Sequence, residues 1–129
     1  MGPSDFWFQQ SMSLNHALLT FDVFNNFNFW NAVPLDGSAS YADIAKSTNL
    51  PEQIVRRFFR LAFTVFVFAE ESPVSDRVVH TAASAHIVRF PYVKSFVAHN
   101  LEDVRPAAIH GVDALKRWYA DHIEPPGVT

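Results

Sequence analysis

The sequence predicts a mainly α-helical domain with one small β-hairpin set among the helices. Three observations predict it. Residues 40–61 read as two short helices joined by a tight turn. Residues 64–69 and 77–81 are rich in β-branched and aromatic side chains, and they flank a Ser, Pro and acid-rich stretch, as two strands flank a turn. Most of the remaining chain carries apolar residues at helical spacing.

The elements follow in order. Residues 1–12 hold Phe6, Trp7, Phe8 and Met12, an apolar arm too short to make its own core. Residues 13–31 form a helix with Ser13 as N-cap, one stripe of Leu14, Leu18, Phe21 and Phe24, and a second of Leu19, Val23, Phe27 and Trp30. So wide an apolar face belongs to a helix covered on more than one side, and Pro34 ends it. Residues 35–39 are a turn. Ser40 caps the next helix with Asp43 three residues on, Ile44 and Ala45 face inward, and Asn49 supplies the left-handed residue that ends it. Pro51 and Glu52 suit a first helical turn. Leu50, Ile54, Phe58 and Leu61 make an inner stripe, with Arg56, Arg57 and Arg60 off it.

Two helices followed by a hairpin make a winged helix. Further helices are expected at 82–89, at 92–102 with Val93, Phe96, Val97 and Leu101 inward, and at 112–122 with Leu115, Trp118 and Tyr119, after a break at Gly111. The expected division is an arm at 1–12, a winged-helix domain with extra N- and C-terminal helices at 13–122, and a tail at 123–129.

Composition narrows the function. The 129 residues contain no cysteine, which removes a disulfide framework and a thiolate zinc site. No apolar run reaches the length of a membrane span and the start lacks a secretory signal, so a cytoplasmic protein is expected. A net charge of −3 argues against a general nucleic-acid binder. Thirteen phenylalanines exceed what a small core can hide, so some belong to a pocket or an interface, and a homodimer is expected.

Four blocks carry a family resemblance: residues 32–45 (Ala-Val-Pro-Leu-Asp-Gly-Ser-Ala-Ser-Tyr-Ala-Asp-Ile-Ala), 56–60 (Arg-Arg-Phe-Phe-Arg), 80–84 (His-Thr-Ala-Ala-Ser) and 113–118 (Asp-Ala-Leu-Lys-Arg-Trp). In this order they resemble the N-terminal part of fungal O-methyltransferases of polyketide-type pathways, over residues 14–119. The resemblance implies a winged-helix domain that mediates homodimerisation and closes one side of the substrate pocket. It also implies that S-adenosylmethionine binds a following Rossmann-like domain, where the catalytic base lies too. Gly2, Gly37, Gly111 and Gly127 cannot make a Gly-x-Gly loop, so no cofactor and no methyl transfer are expected of these residues.

The candidate chemistry is sparse. No histidine pair has the i, i+4 spacing with a carboxylate that a zinc site needs, so no metal is expected. Arg56 and Arg60 share a helix face as in a DNA reader, yet Glu52, Glu70 and Glu71 lie nearby, which favours a solvated face with ion pairs. An apolar site is expected where the arm meets the 92–102 helix, with Phe8, Met12, Trp30, Tyr92 and Phe96 binding a hydrophobic intermediate. His16 is the first candidate acid-base group and His99 the second, against the plainer reading of interface or surface histidines. Phe6, Leu18, Phe21 and Phe24 are expected at the dimer interface.

Two functions remain open. One is a stand-alone biosynthetic protein without methyl transfer that holds an intermediate and promotes its cyclisation, isomerisation or dehydration. The other is a non-catalytic dimerisation and substrate-lid domain of an O-methyltransferase, or a partner of a full-length methyltransferase-like protein. A winged-helix DNA-binding regulator is a third, weaker reading. Neither nucleic acid nor membrane is an expected partner.

Overall fold

The computed structural model describes residues 2–122. Helix α1 (Pro3–Asn26) leads through a 3₁₀ turn (Phe29–Asn31) to strand β1 (Ser38–Ser40). Helices α2 (Tyr41–Thr48) and α3 (Glu52–Thr64) follow, then strands β2 (Ala69–Glu70) and β3 (Arg77–Val79). Four further helices close the chain: α4 (Ala82–Arg89), α5 (Pro91–His99), α6 (Arg105–Ile109) and α7 (Gly111–His122). The result is mainly helical with a small antiparallel sheet of order β1-β3-β2, an arrangement compatible with a winged helix.

The helix–turn–helix forms as its local chemistry dictates. Ser40 Oγ accepts the Asp43 backbone N–H at 3.1 Å, and Asn49 takes φ 59° at the end of α2. Pro51, extended, turns the chain into α3 with Glu52 in its first turn. The buried face of α3 carries Val55, Phe59 and Ala62, with Ile54, Phe58 and Leu61 half-buried beside it.

The core is a cluster of aromatic rings. Phe24 stacks on Phe29 at 4.6 Å and meets Trp30, Phe59 and Phe68 at 5.2, 5.3 and 5.7 Å. The reversal that allows it is Asn28 at φ 55°, which folds Phe29 and Trp30 back onto the end of α1. Ile44, Val55 and Val78, all fully buried, complete the packing. Phe24 therefore belongs to the protomer's own core. The dimer-interface role expected for it is corrected, because the chain reversal at Asn28 seals that side of α1.

Several expected boundaries shift. Ser13 caps nothing: α1 is continuous from Pro3, so the arm is the first half of one helix, begun by a proline at N1 and an acid, Asp5, in the first turn. The strand expected at 64–69 shrinks to two residues, because Thr64 stays helical and Phe66 and Phe68 take φ of 62° and 59°. Those left-handed residues send Phe66 into solvent and Phe68 into the core, as an alternating strand would not. Residues 38–40, expected as part of a turn and a cap, pair with β3, where Arg77 Nε donates to Ser38 Oγ at 2.8 Å.

The 92–102 helix ends early as well. After His99 the chain widens into a π-helical turn, Asn100–Val104. Pro106 explains it, since it lacks an N–H and its ring crowds the carbonyl four residues back, at Glu102. The tail expected at 123–129 lies outside the described residues. Among the described residues no helix is long and apolar enough to cross a membrane.

Candidate functional site

The first half of α1 is barely covered by the rest of the fold. Phe6, Trp7, Phe8, Met12 and Leu14 are 48–67% exposed, whereas Thr20 and Phe24 further along are fully buried. Consecutive helical residues point about 100° apart, so Phe6, Trp7 and Phe8 ring the helix and no single neighbour could cover all three. Phe6 packs edge-on against Trp7 at 5.2 Å, and among the described residues Phe8 has no ring partner. Leu18, 36% exposed, continues the uncovered surface toward the core.

A second apolar surface lies toward the C-terminal end. Tyr92 and Phe96, four residues apart on one face of α5, are 69% and 67% exposed. Ile109, Val112, Leu115, Trp118 and Tyr119 on α6 and α7 are also more than half exposed. The expected binding residues Phe8, Met12, Tyr92 and Phe96 thus all face solvent in the protomer.

Trp30 alone among the expected binding residues lines a concave, partly open pocket, and it does so from the core. It is 1% exposed, its Nε1–H donates to Asn25 Oδ1 at 2.7 Å, and its ring stacks on Phe68 at 5.7 Å. One wall of a cavity of about 130 Å³ is Trp30; the others are Phe21, Val67, Ala83, Ile87 and Val97. Helix α1 does meet α5, and Phe21 of α1 and Val97 of α5 line this pocket together. Met12 sits nine residues earlier on the same straight helix, about 13 Å along its axis, and Phe8 about 20 Å. Within the protomer the pocket is thus lined by the second half of α1, and Phe21, expected at the dimer interface, is half-buried there.

The two candidate histidines do not converge. Exposed His16 lines a groove of about 240 Å³ with Ser13, Ala17, Leu61, Thr64 and Val65, between α1 and the end of α3. It therefore faces α3, and among the described residues of the protomer it lines no space with Tyr92 or Phe96. His99 Nδ1 pairs with Asp103 Oδ2 at 2.9 Å across one turn, with both side chains more than half exposed. Among the described residues no group of His, Asp and Glu is placed to hold a metal ion.

Sequence reasoning passed over His80, the best-connected histidine. Its Nε2–H donates to the Val33 carbonyl at 2.8 Å, and its Nδ1 accepts from Ser84 Oγ at 2.9 Å. Its ring lies 4.7 Å from that of Phe68. Burial, the largest influence, lowers its pKa below that of a free imidazole, against the Val33 and Trp30 backbone hydrogen bonds that raise it. The neighbouring Thr81 and Ser84 form a reciprocal capping box on α4. One half-buried imidazole thus ties β3, the turn after α1 and α4 together. The signal for it was the run His80-Thr-Ala-Ala-Ser84, a histidine set immediately before a helix cap.

The arginines of α3 divide. Arg56 donates to Asp76 at 2.9 Å and to Glu52 at 2.8 Å, and it sits 4.5 Å over the Tyr41 ring. Hydrogen bonds to Asp76 and then Glu52 raise its pKa, while the same contact lowers that of Asp76. Burial, ahead of the nearby Glu70 charge, raises the Tyr41 phenol. Arg57 and Arg60, together with the ion-paired Arg56, line an open groove of about 510 Å³ with Gln53, Leu61 and Thr64. Glu70, Glu71 and Asp76, on and beside the hairpin, would oppose a polyanion on this side.

No protein-family model matches the chain. Individual relatives do. O-methyltransferase aurJ of Gibberella zeae is 31% identical over 117 residues, which covers 91% of this chain and 26% of that protein. O-methyltransferase pgmB of Aspergillus terreus is 30% identical over 126 residues, 93% of this chain and 27% of the relative. O-methyltransferase lcsG of Purpureocillium lilacinum is 38% identical over 81 residues, 60% and 17% respectively. The chain spans about a quarter or less of the length of each of these proteins.

Proposed function

This chain belongs with the fungal O-methyltransferases, as kin of about a quarter of their length, and from that premise we propose that it is their dimer-forming, substrate-enclosing winged-helix module. It pairs with a second copy, or with a full-length relative, through the first half of α1. It contributes apolar walls to a site for a hydrophobic biosynthetic intermediate. Methyl transfer is not the task of these residues.

The observation that carries this reading is the unpartnered aromatic surface of α1. Phe6, Trp7 and Phe8 present rings on every side of a helix whose lower half is already packed. Leaving three rings and Met12 partly in water forgoes about 1 kcal/mol of burial for each, since they are 48–67% exposed. A second copy laid along the arm covers part of this ring of side chains, and Tyr92 and Phe96 of α5, also exposed, extend the apolar surface it could use. Enclosure of this kind needs shape and dryness, not a catalytic group. An intermediate held there would be steered toward cyclisation, isomerisation or dehydration by orientation alone. The wide separation of roles between His16 and His99 favours such a shape-based part over acid-base catalysis.

Trp7 reports on the arm directly. In a variant with Trp30 and Trp118 replaced by Phe, the Trp7 emission should shift to the blue as concentration rises through the micromolar range and the arm is covered. Emission that stays at the wavelength of a hydrated indole at every concentration, with the chain folded, would overturn the reading.

A further inference from the structure

We propose that the cavity between α1, the 3₁₀ turn, α4 and α5 is a binding site for one small, unfused apolar ring, of the size and polarity of toluene or a halobenzene. The site is built from a single protomer, so it does not rest on the dimer reading. Its volume is about 130 Å³. An engineered protein cavity of about 150 Å³ lined by apolar side chains stays dry and takes up benzene, which sets the scale of the ligand.

The walls decide the chemistry. Phe21, Val67, Ala83, Ile87 and Val97 offer no side-chain donor or acceptor. The sixth wall, Trp30, has its one polar group already satisfied by Asn25 Oδ1. A ligand that brought a carboxylate or ammonium into this space would lose its hydration and gain no partner. An unsubstituted or alkyl- or halogen-substituted ring loses nothing polar and gains contact with two aromatic and four aliphatic walls. The walls come from five separate stretches of chain, and Trp30 is fixed by its hydrogen bond and by stacking on Phe68. The shape is therefore held by the fold, with little left to order on binding. Ala83 is exposed on α4 and has the smallest side chain of the six, so it marks the way in.

Ligand-observed ¹⁹F NMR with fluorobenzene, and calorimetry with toluene and benzoate, test the site on the full chain. The expected result is a dissociation constant on the order of 1 mM or below for the two apolar rings and at least about tenfold weaker binding of benzoate. Two variants fill the space from different walls, Ala83→Leu and Val97→Phe. Each should weaken toluene binding by about tenfold or more while the chain stays folded by circular dichroism. No binding at about 5 mM ligand overturns the proposal. So does benzoate binding as well as toluene, or toluene binding unchanged in both variants, because the ring would then be resting on the exposed arm. Sedimentation of the same samples keeps the two readings apart. Ring binding by a monomer sustains the cavity and removes the dimer, and a dimer that binds no ring does the reverse.

Discussion

Replacing Phe24 by Ala removes the ring on which the aromatic core converges. Phe24 is fully buried and lies within 4.6–5.7 Å of four other rings, those of Phe29, Trp30, Phe59 and Phe68. A buried Phe→Ala change costs about 3–5 kcal/mol, from lost transfer energy and the cavity left behind. Stacked and edge-on pairs add about 0.5–1.5 kcal/mol beyond burial, so the upper part of that range, about 4 kcal/mol, applies here. A domain of this size has about 5–15 kcal/mol in total. With a urea slope of about 1.5 kcal/mol per molar, the midpoint should fall by about 2.5 M. Phe66→Ala, which removes a ring that is 80% exposed, should move it by less than about 0.5 M. Urea titrations of the three proteins at one protomer concentration give the comparison. A Phe24→Ala midpoint within about 1 M of the parent, combined with lost self-association, would place Phe24 at an interface and refute the core described above.

Three further outcomes are expected. Because the folded state lowers the His80 pKa, the unfolded chain binds more protons below about pH 6.5. Stability from this residue is complete above that pH and declines as pH falls toward the folded value, by at most about 1.4 kcal/mol per unit, and denaturation of His80→Gln at pH 7.5 and 5.5 should show that slope reduced. Val74, 96% exposed at φ 60° just after Pro73, occupies a conformation that glycine adopts without strain, so Val74→Gly should raise thermal stability by about 0.5–1 kcal/mol. Titration of the chain with S-adenosylmethionine in a calorimeter should give no binding heat, since no glycine loop is present to cradle the donor.

The local chemistry of residues 40–61 was legible because its signals are short-range. The Ser40 cap, the left-handed Asn49 and the Pro51–Glu52 start each act within four residues. Helix α4 was legible for the same reason. What the sequence hid depends on distant partners. The strand expected at 64–69 had the right composition, but the core needed Phe68 turned inward at once, and the left-handed Phe66 and Phe68 broke the strand to deliver it. Strand β1 was invisible because three small residues carry no strand signal until β3 lies beside them.

Phe21, Phe24 and Trp30 look alike in a periodic pattern, and only the reversal at Asn28 sorts them into a cavity wall, a core centre and both at once. His16 was placed by its nearness to Met12 in sequence. On a continuous α1, however, four residues complete a turn and small rotations decide the neighbour, which is α3. His80 went unranked because its partners Val33 and Ser84 lie 47 and four residues away, and no spacing rule joins them.

Sedimentation velocity over a range of protomer concentrations, on the parent chain and on Phe8→Asp, tests the central claim most directly. The substitution places a charge on the arm, 67% exposed in the protomer, so it leaves the core untouched. The expected parent has twice the chain mass at micromolar concentration, and the Phe8→Asp variant is monomeric, folded by circular dichroism, and unfolds at a lower temperature because the stabilisation from association is lost. A parent that remains monomeric up to its solubility limit would contradict the claim.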